Sequence, residues 1–561
     1  MKINKIYTLL LLMFSTVIFS CTKHLQELND NPNGADPETT NPDLVLSTVL
    51  TEAGKSFVNL GYLDVAGVMQ HTQKDGWGGG HNNYDWGNSN SWSGYYAVLR
   101  NNQFVYDKSV EKGYEAHQAI TLVMKSLMFG LITDLWGDAP YSQALKGNLG
   151  GNDNTFPKFD SQKSIYDSIL LNLETANTLL SKDEFTDPPL GNADVYYNGN
   201  LSKWRKFANS LALRYYMRLA EKEPDIAKAG IEKIAGDPST YPVITDAADD
   251  VTMSFPGNSD GDSWPAYAIP QSDSSNYRRI KMCNTLVKEM LGTNDPRLSV
   301  YANKVEISIY LDPTLSGTQN FIKDTVMDGE LRRVRFISNA YLASKNLTVD
   351  DIDQDPHYVG LPVALNAPQL YNLSPTAEQA AHNPHVSWVN STFANSKGVK
   401  VRVITAAEVN FILAEASAAY HWNAGDAETN YKAAIKASFD AWGLTSQYNQ
   451  YVTQSNVAFD GTQKQIITQK WVASFTMALE AWFDWRRTGY PELHGVPLRT
   501  LAPELPVRFY YPLEERNLNA TNTTAAANQL ETTDLSASGA DGVKNSPWSK
   551  PWISQGTGKP W

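Results

Sequence analysis

The stretch Ala406-Ala407-Glu408-Val409-Asn410-Phe411-Ile412-Leu413-Ala414-Glu415-Ala416-Ser417-Ala418, then Gly425-Asp426, then Ala427-Glu428-Thr429-Asn430-Tyr431-Lys432-Ala433-Ala434-Ile435-Lys436-Ala437-Ser438-Phe439, decides the fold class. Apolar residues recur at helical spacing on both sides of the Gly-Asp turn signal: Phe411, Leu413, Ala414 and Ala418 before it, Tyr431, Ala434, Ile435 and Phe439 after it. Small residues on one helix face large ones on the other. The segment reads as two helices folded back on each other.

The same helical period dominates outward from this hairpin. It predicts helices over Leu44–Thr51, Gly94–Val110, Ala116–Leu135, Ile165–Leu180, Trp204–Glu223, Thr285–Leu291, Ala406–Trp422, Ala427–Trp442 and Lys464–Arg487. Strand-like alternation is scarce and local, as in Val251-Thr252-Met253-Ser254-Phe255. The small-against-large pattern of 406–442 resembles a tetratricopeptide hairpin, but no tandem 34-residue period recurs, which excludes a regular solenoid. A mainly α body of degenerate helical hairpins, joined by long loops, is the expectation.

Three of those loops, 71–93, 255–278 and 350–400, are too long and too rich in Gly, Asn, Asp and Trp to be plain connectors. Long structured loops on a helical scaffold are where binding residues concentrate. The chain after Asn519 is rich in Thr, Ala, Ser and Gly, yet carries Trp548, Trp552 and Trp561. A disordered tail has no use for three tryptophans, so this one is expected to pack on the body.

At the other end, Lys2 and Lys5 precede an uncharged apolar run, Ile6–Phe19, that stops at Ser20-Cys21. The run is shorter than the roughly 20 residues a spanning helix needs, and has the form of an export signal. Ordinary cleavage would want small residues at both −3 and −1, where Ile18 and Ser20 stand. The pattern suits a lipobox instead, with residues 1–20 removed and Cys21 lipidated; Phe19 is bulkier than usual at −2. Residues 21–42, with Asn29-Asp30-Asn31-Pro32-Asn33-Gly34, have turn composition and read as a flexible tether to a single domain over 43–561.

Cysteine usage agrees. The chain has two cysteines, Cys21 and Cys283, so a lipidated Cys21 leaves Cys283 unpaired, a small hydrophobe in a helix-like run. Loss of Lys2 and Lys5 with the signal takes the formal charge from −13 to −15. No basic stripe exists to neutralise phosphates, which excludes nucleic acid as a partner. The 15 Trp and 28 Tyr suit carbohydrate instead, since a sugar stacks its C–H face on a ring while Asn, Asp and Arg take its hydroxyls.

Catalytic signatures fail on inspection. Gly257-Asn258-Ser259-Asp260-Gly261 matches G-x-S-x-G, but Asp262-Ser263-Trp264-Pro265 does not open the helix that motif requires. Asp351, Asp353 and Asp355 have the opening spacing of an EF-hand loop, with Pro356 where Gly is needed and Pro362 where Glu is needed. Glu480 and Asp484 are i,i+4 on a helix whose Trp471, Phe475, Ala478, Trp482 and Trp485 form an apolar stripe, so they read as structural ion pairs. Arg486 and Arg487 suit that helix's C-terminal dipole, with Gly489 and Pro491 as stop signals. His71 and His81 lack a third ligand at a zinc spacing. No cofactor and no metal are called for.

Binding residues are a better match. His71, Trp77, Gly78-Gly79-Gly80, His81, Asn82, Asn83, Tyr84, Asp85, Trp86, Asn88 and Trp92 put rings and amides in one Gly-rich loop, where a ligand can approach the backbone closely. Trp264, Tyr267, Asp273, Asn276, Tyr277, Arg278 and Arg279 offer rings with bidentate donors. The candidate ligand residues are Trp77, His81, Tyr84, Trp86, Trp92, Trp264, Tyr267, Tyr277 and Arg278.

Several motifs, in order along the chain, resemble the SusD/RagB family of Bacteroidetes nutrient-binding lipoproteins, in its SusD-like branch. They are Asn29-Asp30-Asn31-Pro32-Asn33 after the lipidated cysteine, Leu135-Trp136-Gly137-Asp138-Ala139-Pro140-Tyr141, and Trp204-Arg205-Lys206-Phe207-Ala208-Asn209-Ser210-Leu211. Tyr277-Arg278 through Asn294-Asp295-Pro296-Arg297-Leu298, then Ala407–Glu415, then Ala481-Trp482-Phe483-Asp484-Trp485-Arg486-Arg487-Thr488-Gly489 complete the set. Trp136 replaces the family's usual tyrosine, and the final tryptophans are more widely spread. The resemblance implies a SusD-like single domain with four tetratricopeptide-like hairpins and a loop-rich ligand face. It implies a non-enzymatic, palmitate-bearing outer-membrane lipoprotein facing the cell exterior, working in polysaccharide utilisation. Its partners would be an oligosaccharide, the membrane lipid through Cys21, and a SusC-like TonB-dependent transporter. No invariant ligand residue carries over, so the candidate residues rest on loop chemistry. Binding of peptides or another nutrient by the same architecture is the alternative, and an exported glycoside hydrolase a more distant one.

Overall fold

The structure is a computed structural model, which describes residues 39–87, 90–265, 275–374, 383–493, 505–536 and 544–561. The signal segment and all but the last residues of the tether lie outside the described residues, as does Tyr267. Eleven helices carry the argument that follows: α1 Pro42–Tyr62, α2 Ser93–Lys112, α3 Glu115–Trp136, α4 Gln162–Leu179, α5 Leu201–Arg218, α6 Pro224–Gly236, α7 Asn284–Gly292, α8 Ala406–Ala418, α9 Ala427–Ala441, α10 Gln463–Ala473 and α11 Ala478–Thr488. Helices adjacent in sequence pack against each other from α2 through α6, and α8 packs on α9, α10 and α5. The fold is mainly α, as the periodicity predicts.

Local chemistry starts these helices. Asn41, Ser161, Asn200, Thr405, Asp426 and Thr462 each stand at an N-cap and accept a backbone N–H of the first turn. The hairpin 406–442 forms as read: Phe411, Ala414, Tyr431, Ala434, Ile435 and Phe439 make a core cluster of their own. Helix α3 is long and apolar enough to cross a membrane by composition, but it is sheathed by α2, α4 and α5 and serves as the central core helix.

The periodicity misleads at one helix. Lys464–Arg487 is two helices, broken at 474–477 where Thr476 has φ +74°. The break packs on Gly61 of α1, where a Cβ would collide with the Thr476 carbonyl oxygen, so only glycine admits this approach. The apolar stripe runs through the kink because both halves face the core.

Strands are short except in one place. β1 Thr72–Lys74 pairs with β3 Ile280–Met282, and β2 Val251–Met253 pairs with β7 Val401–Ile404, both antiparallel. β4 Ser308–Leu311, β5 Asn320–Met327 and β6 Glu330–Ile337 form a three-stranded sheet in the order β4-β6-β5, unforeseen in the sequence. Asp328-Gly329 turns its hairpin, with both residues at positive φ. A small separate cluster of Ile309, Ile337, Leu342 and Ile352 supports it.

The tail packs as expected. Trp548 is buried, and Trp561 stacks on Trp485 with ring centroids 4.5 Å apart and donates its N–H to the Arg486 carbonyl. Cys283 is a free, buried thiol that burial pushes up to about 11.

The helices are joined at their centre by buried charges. Arg214 on α5 holds Glu408 of α8 at 2.6 Å, and Arg218 holds Glu480 of α11 at 2.6 Å and Asp134 of α3 at 3.2 Å. Arg487 pairs both its terminal nitrogens with Glu415 at 2.7 Å, and Lys470 of α10 meets Asp484 at 2.7 Å. Arg486, expected at a helix end to answer its dipole, instead points inward to the carbonyls of Asp134 and Val507. Burial alone would raise the Asp484 carboxyl, but Lys470 and Arg487 outweigh it and hold it at about 2. A depressed carboxylate adds stability that is present above its unfolded pKa and is lost as pH falls toward 2.

Removing one partner from such a pair strands a buried charge. We expect Glu415→Ala to cost about 3–5 kcal/mol in urea unfolding. Replacing Glu415 and Arg487 together by Leu and Met should cost less than the single change. Equal or additive losses would refute the uncompensated-charge account.

Candidate ligand site

The three long loops meet at one place. β1 opens loop 71–93, β3 follows loop 255–278, and residues 387–389 of the third loop lie along the other edge of β3. There the Met282 N–H donates to the Ser387 carbonyl and the Val389 N–H to the Ile280 carbonyl. Asp75 N–H extends the β1–β3 pairing by donating to the Arg279 carbonyl at 3.1 Å. Asn82 closes the Gly-rich loop, since its amide accepts from Lys74 N–H and donates to Lys74 C=O, standing in for a strand partner.

Trp77 leaves this ribbon at φ +52° and is 64% exposed. The Arg279 guanidinium lies over its ring at 4.7 Å and reaches Asp75 at 3.6 Å. Gly76 makes this crossing, because a Cβ there would collide with the guanidinium. Beside it, Arg278 lies over the half-buried Trp388 ring at 3.4 Å and pairs with Glu306 at 2.6 Å. Lys281 approaches the same ring at 5.6 Å and Asp75 at 3.5 Å. Burial lowers the Lys281 amine to about 8 against the pull of Asp75, and burial raises the Asp75 carboxyl against Lys281 and Arg279.

The result is a shelf with an exposed indole, a half-buried one, and guanidinium and carboxylate groups between them. A cavity of about 480 Å³, lined by Lys304, Glu306, Ser308, Glu330, Arg332 and His357, continues the shelf from Glu306. The third loop also folds round a cavity of about 660 Å³ that includes Lys288, Asp350, Asp353, Asn366 and Tyr371.

The structure divides the candidate residues. Trp77 and Arg278 are on the shelf. His81, Tyr84, Trp86, Trp92, Trp264 and Tyr277 are in the core. Trp86 meets Phe509 edge-on at 4.7 Å and Trp482 at 6.0 Å, and Trp92 packs on Trp136 and Phe159. Trp264 packs on Tyr62, Phe255 and Phe393, and the Tyr277 hydroxyl donates to the carbonyls of Val389 and Asn390. His81 faces the Thr72 hydroxyl at 3.0 Å, and burial holds its imidazole well below the usual range. Most of the ring density in the Gly-rich loop therefore fastens that loop to the body, because a large ring yields more free energy buried than exposed. Trp388 was missed, its one sequence signal being its place in the third long loop.

The other motifs have structural roles. His71 meets the Trp471 carbonyl at 3.0 Å. Asp351 accepts from Thr348 N–H, Asp353 binds Lys288 at 2.6 Å, and Asp355 accepts from His357 and Tyr358 N–H, so the EF-hand spacing forms no loop. Among the described residues no three His, Cys, Asp or Glu side chains are grouped to hold a metal. Ser259 opens a single 3₁₀ turn, Asp260–Asp262, rather than a nucleophile elbow.

Residues 37–318 and 331–512 match the SusD-like family described as starch-binding and associating with the outer membrane. No curated protein matches the chain. Its fold is similar to that of an outer membrane protein from Bacteroides vulgatus ATCC 8482, described in connection with nutrient binding: TM-score 0.68, 24% identity, covering 92% of this chain and 100% of that one. A SusD homolog from Bacteroides fragilis NCTC 9343 gives TM-score 0.66 at 22% identity over 92% and 99% of the two chains. A chitin-binding SusD homolog from Flavobacterium johnsoniae gives 0.65 at 20% identity over 91% and 98%. With the helical scaffold, the ordered motifs and a match over most of its length, the chain belongs to the SusD-like family of outer-membrane-associated, non-enzymatic binding proteins.

Proposed function

We propose that this protein captures oligosaccharide at the cell surface, held to the outer membrane by lipid on Cys21, and hands it to a SusC-like TonB-dependent transporter. The observation that carries the reading is the shelf: Trp77 stands exposed over Arg279 beside the Arg278–Trp388 stack, on a chain whose family is described as starch-binding. An exposed ring on a held loop offers a flat apolar surface, and a pyranose face fits an indole while its hydroxyls meet guanidinium and carboxylate groups such as those of Arg278 and Glu306. The site is built before the ligand arrives, which limits the ordering cost of binding. Residues 1–20 act as the export signal and 21–42 as the tether to the domain 43–561.

A glycan microarray probed with the mature protein tests the ligand class; failure of every polysaccharide, with capture from a peptide library, would transfer the reading to peptides. One ring is worth about 0.5–1.5 kcal/mol beyond burial, so Trp77→Ala should weaken affinity several-fold to tenfold with an unchanged melting temperature. By contrast Trp86→Ala should lower stability by about 3–5 kcal/mol, as loss of a core ring does.

The anchor has its own test. Cys21→Ser protein should fold and bind glycan in solution yet no longer fractionate with outer membranes. Loss of glycan binding by that variant in solution would contradict the tether.

A further inference from the structure

The three-stranded sheet carries a row of rings. Tyr310 of β4 pairs in register with Phe336 of the central β6, and Phe336 with Phe321 of β5. The ring centroids are 5.6 and 5.4 Å apart, and the Phe321 and Phe336 planes differ by 17°. Tyr310 is 39% exposed and Phe321 44%. The apolar cluster of the sheet uses Ile309 and Ile337 instead, the sequence neighbours of Tyr310 and Phe336, because successive strand residues point to opposite faces. The rings therefore make a flat apolar surface on the face turned away from that cluster.

The same face runs into the groove that continues the ligand shelf. Alternation puts Ser308 on it with Tyr310, and Val334, Arg332 and Glu330 on it with Phe336. Ser308, Arg332 and Glu330 line the cavity of about 480 Å³ together with Glu306, which pairs with the Arg278 that lies over Trp388. Ser308 and Tyr310 are two residues apart, about 7 Å at strand spacing. One surface thus leads from Trp77 and Trp388 through the groove to the row of rings, with the buried Val334 beside Ser308 between them. The groove lining is polar, and Arg332 Nε and Nη1 and His357 Nδ1 have no hydrogen-bond partner in the protein. Polar groups of this kind are ordinarily answered in a folded protein, so hydroxyls in the groove have partners to meet. The family match stops at 318 and resumes at 331, which leaves β5 and Phe321 outside the shared pattern.

We infer that Tyr310, Phe336 and Phe321 are a distal carbohydrate subsite, which takes the far units of an oligosaccharide whose near units lie on Trp77 and Trp388. The inference rests on the carbohydrate reading above and adds to it a preference for long chains. A sugar chain presents C–H faces that stack on rings and hydroxyls that need donors and acceptors, and the surface offers rings, a polar groove and rings again in that order. A chain short enough for the shelf alone leaves the distal rings uncovered.

The probes are size-fractionated oligosaccharides of starch, of chitin and of any polysaccharide that the microarray selects, titrated by calorimetry into the mature protein. Affinity should rise with chain length. A double variant, Tyr310→Ala with Phe321→Ala, should lose about tenfold for the longest chains and nothing for the shortest, whereas Trp77→Ala should weaken both. Phe321→Tyr keeps the ring and should bind as the parent does; equal loss in that variant assigns the effect to a disturbed hairpin and refutes the subsite. If chains of every length bind alike, or the double variant binds long chains undiminished, the subsite is refuted while the shelf stands. It is refuted too if the parent sediments as a dimer that the double variant returns to monomer, since a second copy then covers the rings. If no glycan of any length binds, the carbohydrate reading itself falls and the subsite with it.

Discussion

The structure depends on a charge-balanced cluster buried where five helices meet. Arg214, Arg218, Lys470, Arg486 and Arg487 face Asp134, Glu408, Glu415, Glu480 and Asp484, on α3, α5, α8, α10 and α11. Each ion alone would cost several kcal/mol to take out of water, so the cluster is tolerable only as a whole. That makes it a register device. Sliding one helix by a turn against its neighbours would leave several charges unanswered at once, whereas an apolar core would simply repack. The Tyr166 hydroxyl, donating to Asp134, brings α4 under the same constraint.

A scaffold held in one register can carry long loops without losing their positions. The loop from β1 to α2 is closed by Trp86 against Phe509 and Trp482 and by Trp92 against Trp136. Its free end is thereby short, and Trp77 projects from a nearly fixed point. The half-strand at 387–389 does the same for Trp388 through its bonds to β3. Rings that sequence reading assigns to ligand contact thus serve the shelf at one remove, by fixing the exposed Trp77 and the half-buried Trp388. The rigidity of the shelf comes from the core beneath it.

Much of the helical body was legible because its period is carried by residues that face the core in every turn, as Phe411, Ala414, Tyr431 and Ile435 do. The break at Thr476 was not, since it packs on Gly61, distant in sequence and adjacent in space. The β5–β6 hairpin escaped for a different reason: alternation marks a strand only where one face is buried and the other wet, and β5 is largely exposed on both. Of the candidate ligand residues, Trp77 and Arg278 come to the shelf where the long loops meet. Trp86, Trp92 and Trp264 carry the same local signal, and composition has no term for which side of a loop turns inward. The cluster charges were hidden likewise, because Glu480, Asp484, Arg486 and Arg487 look in sequence like an ion-paired helix surface.

The three-stranded sheet shows how such a scaffold accommodates an addition. Its supporting cluster of Ile309, Ile337, Leu342 and Ile352 is separate from the main core, and Arg335 ties it locally to Asn320, Tyr341 and the Leu373 carbonyl. Among the described residues no ion pair joins the buried charge cluster to it. A sheet anchored in this way can lengthen, and expose an edge, without disturbing the register on which the ligand shelf depends. The shelf and the hairpin are therefore mechanically separable, although Glu306 beside the shelf and Glu330 of β6 line one groove.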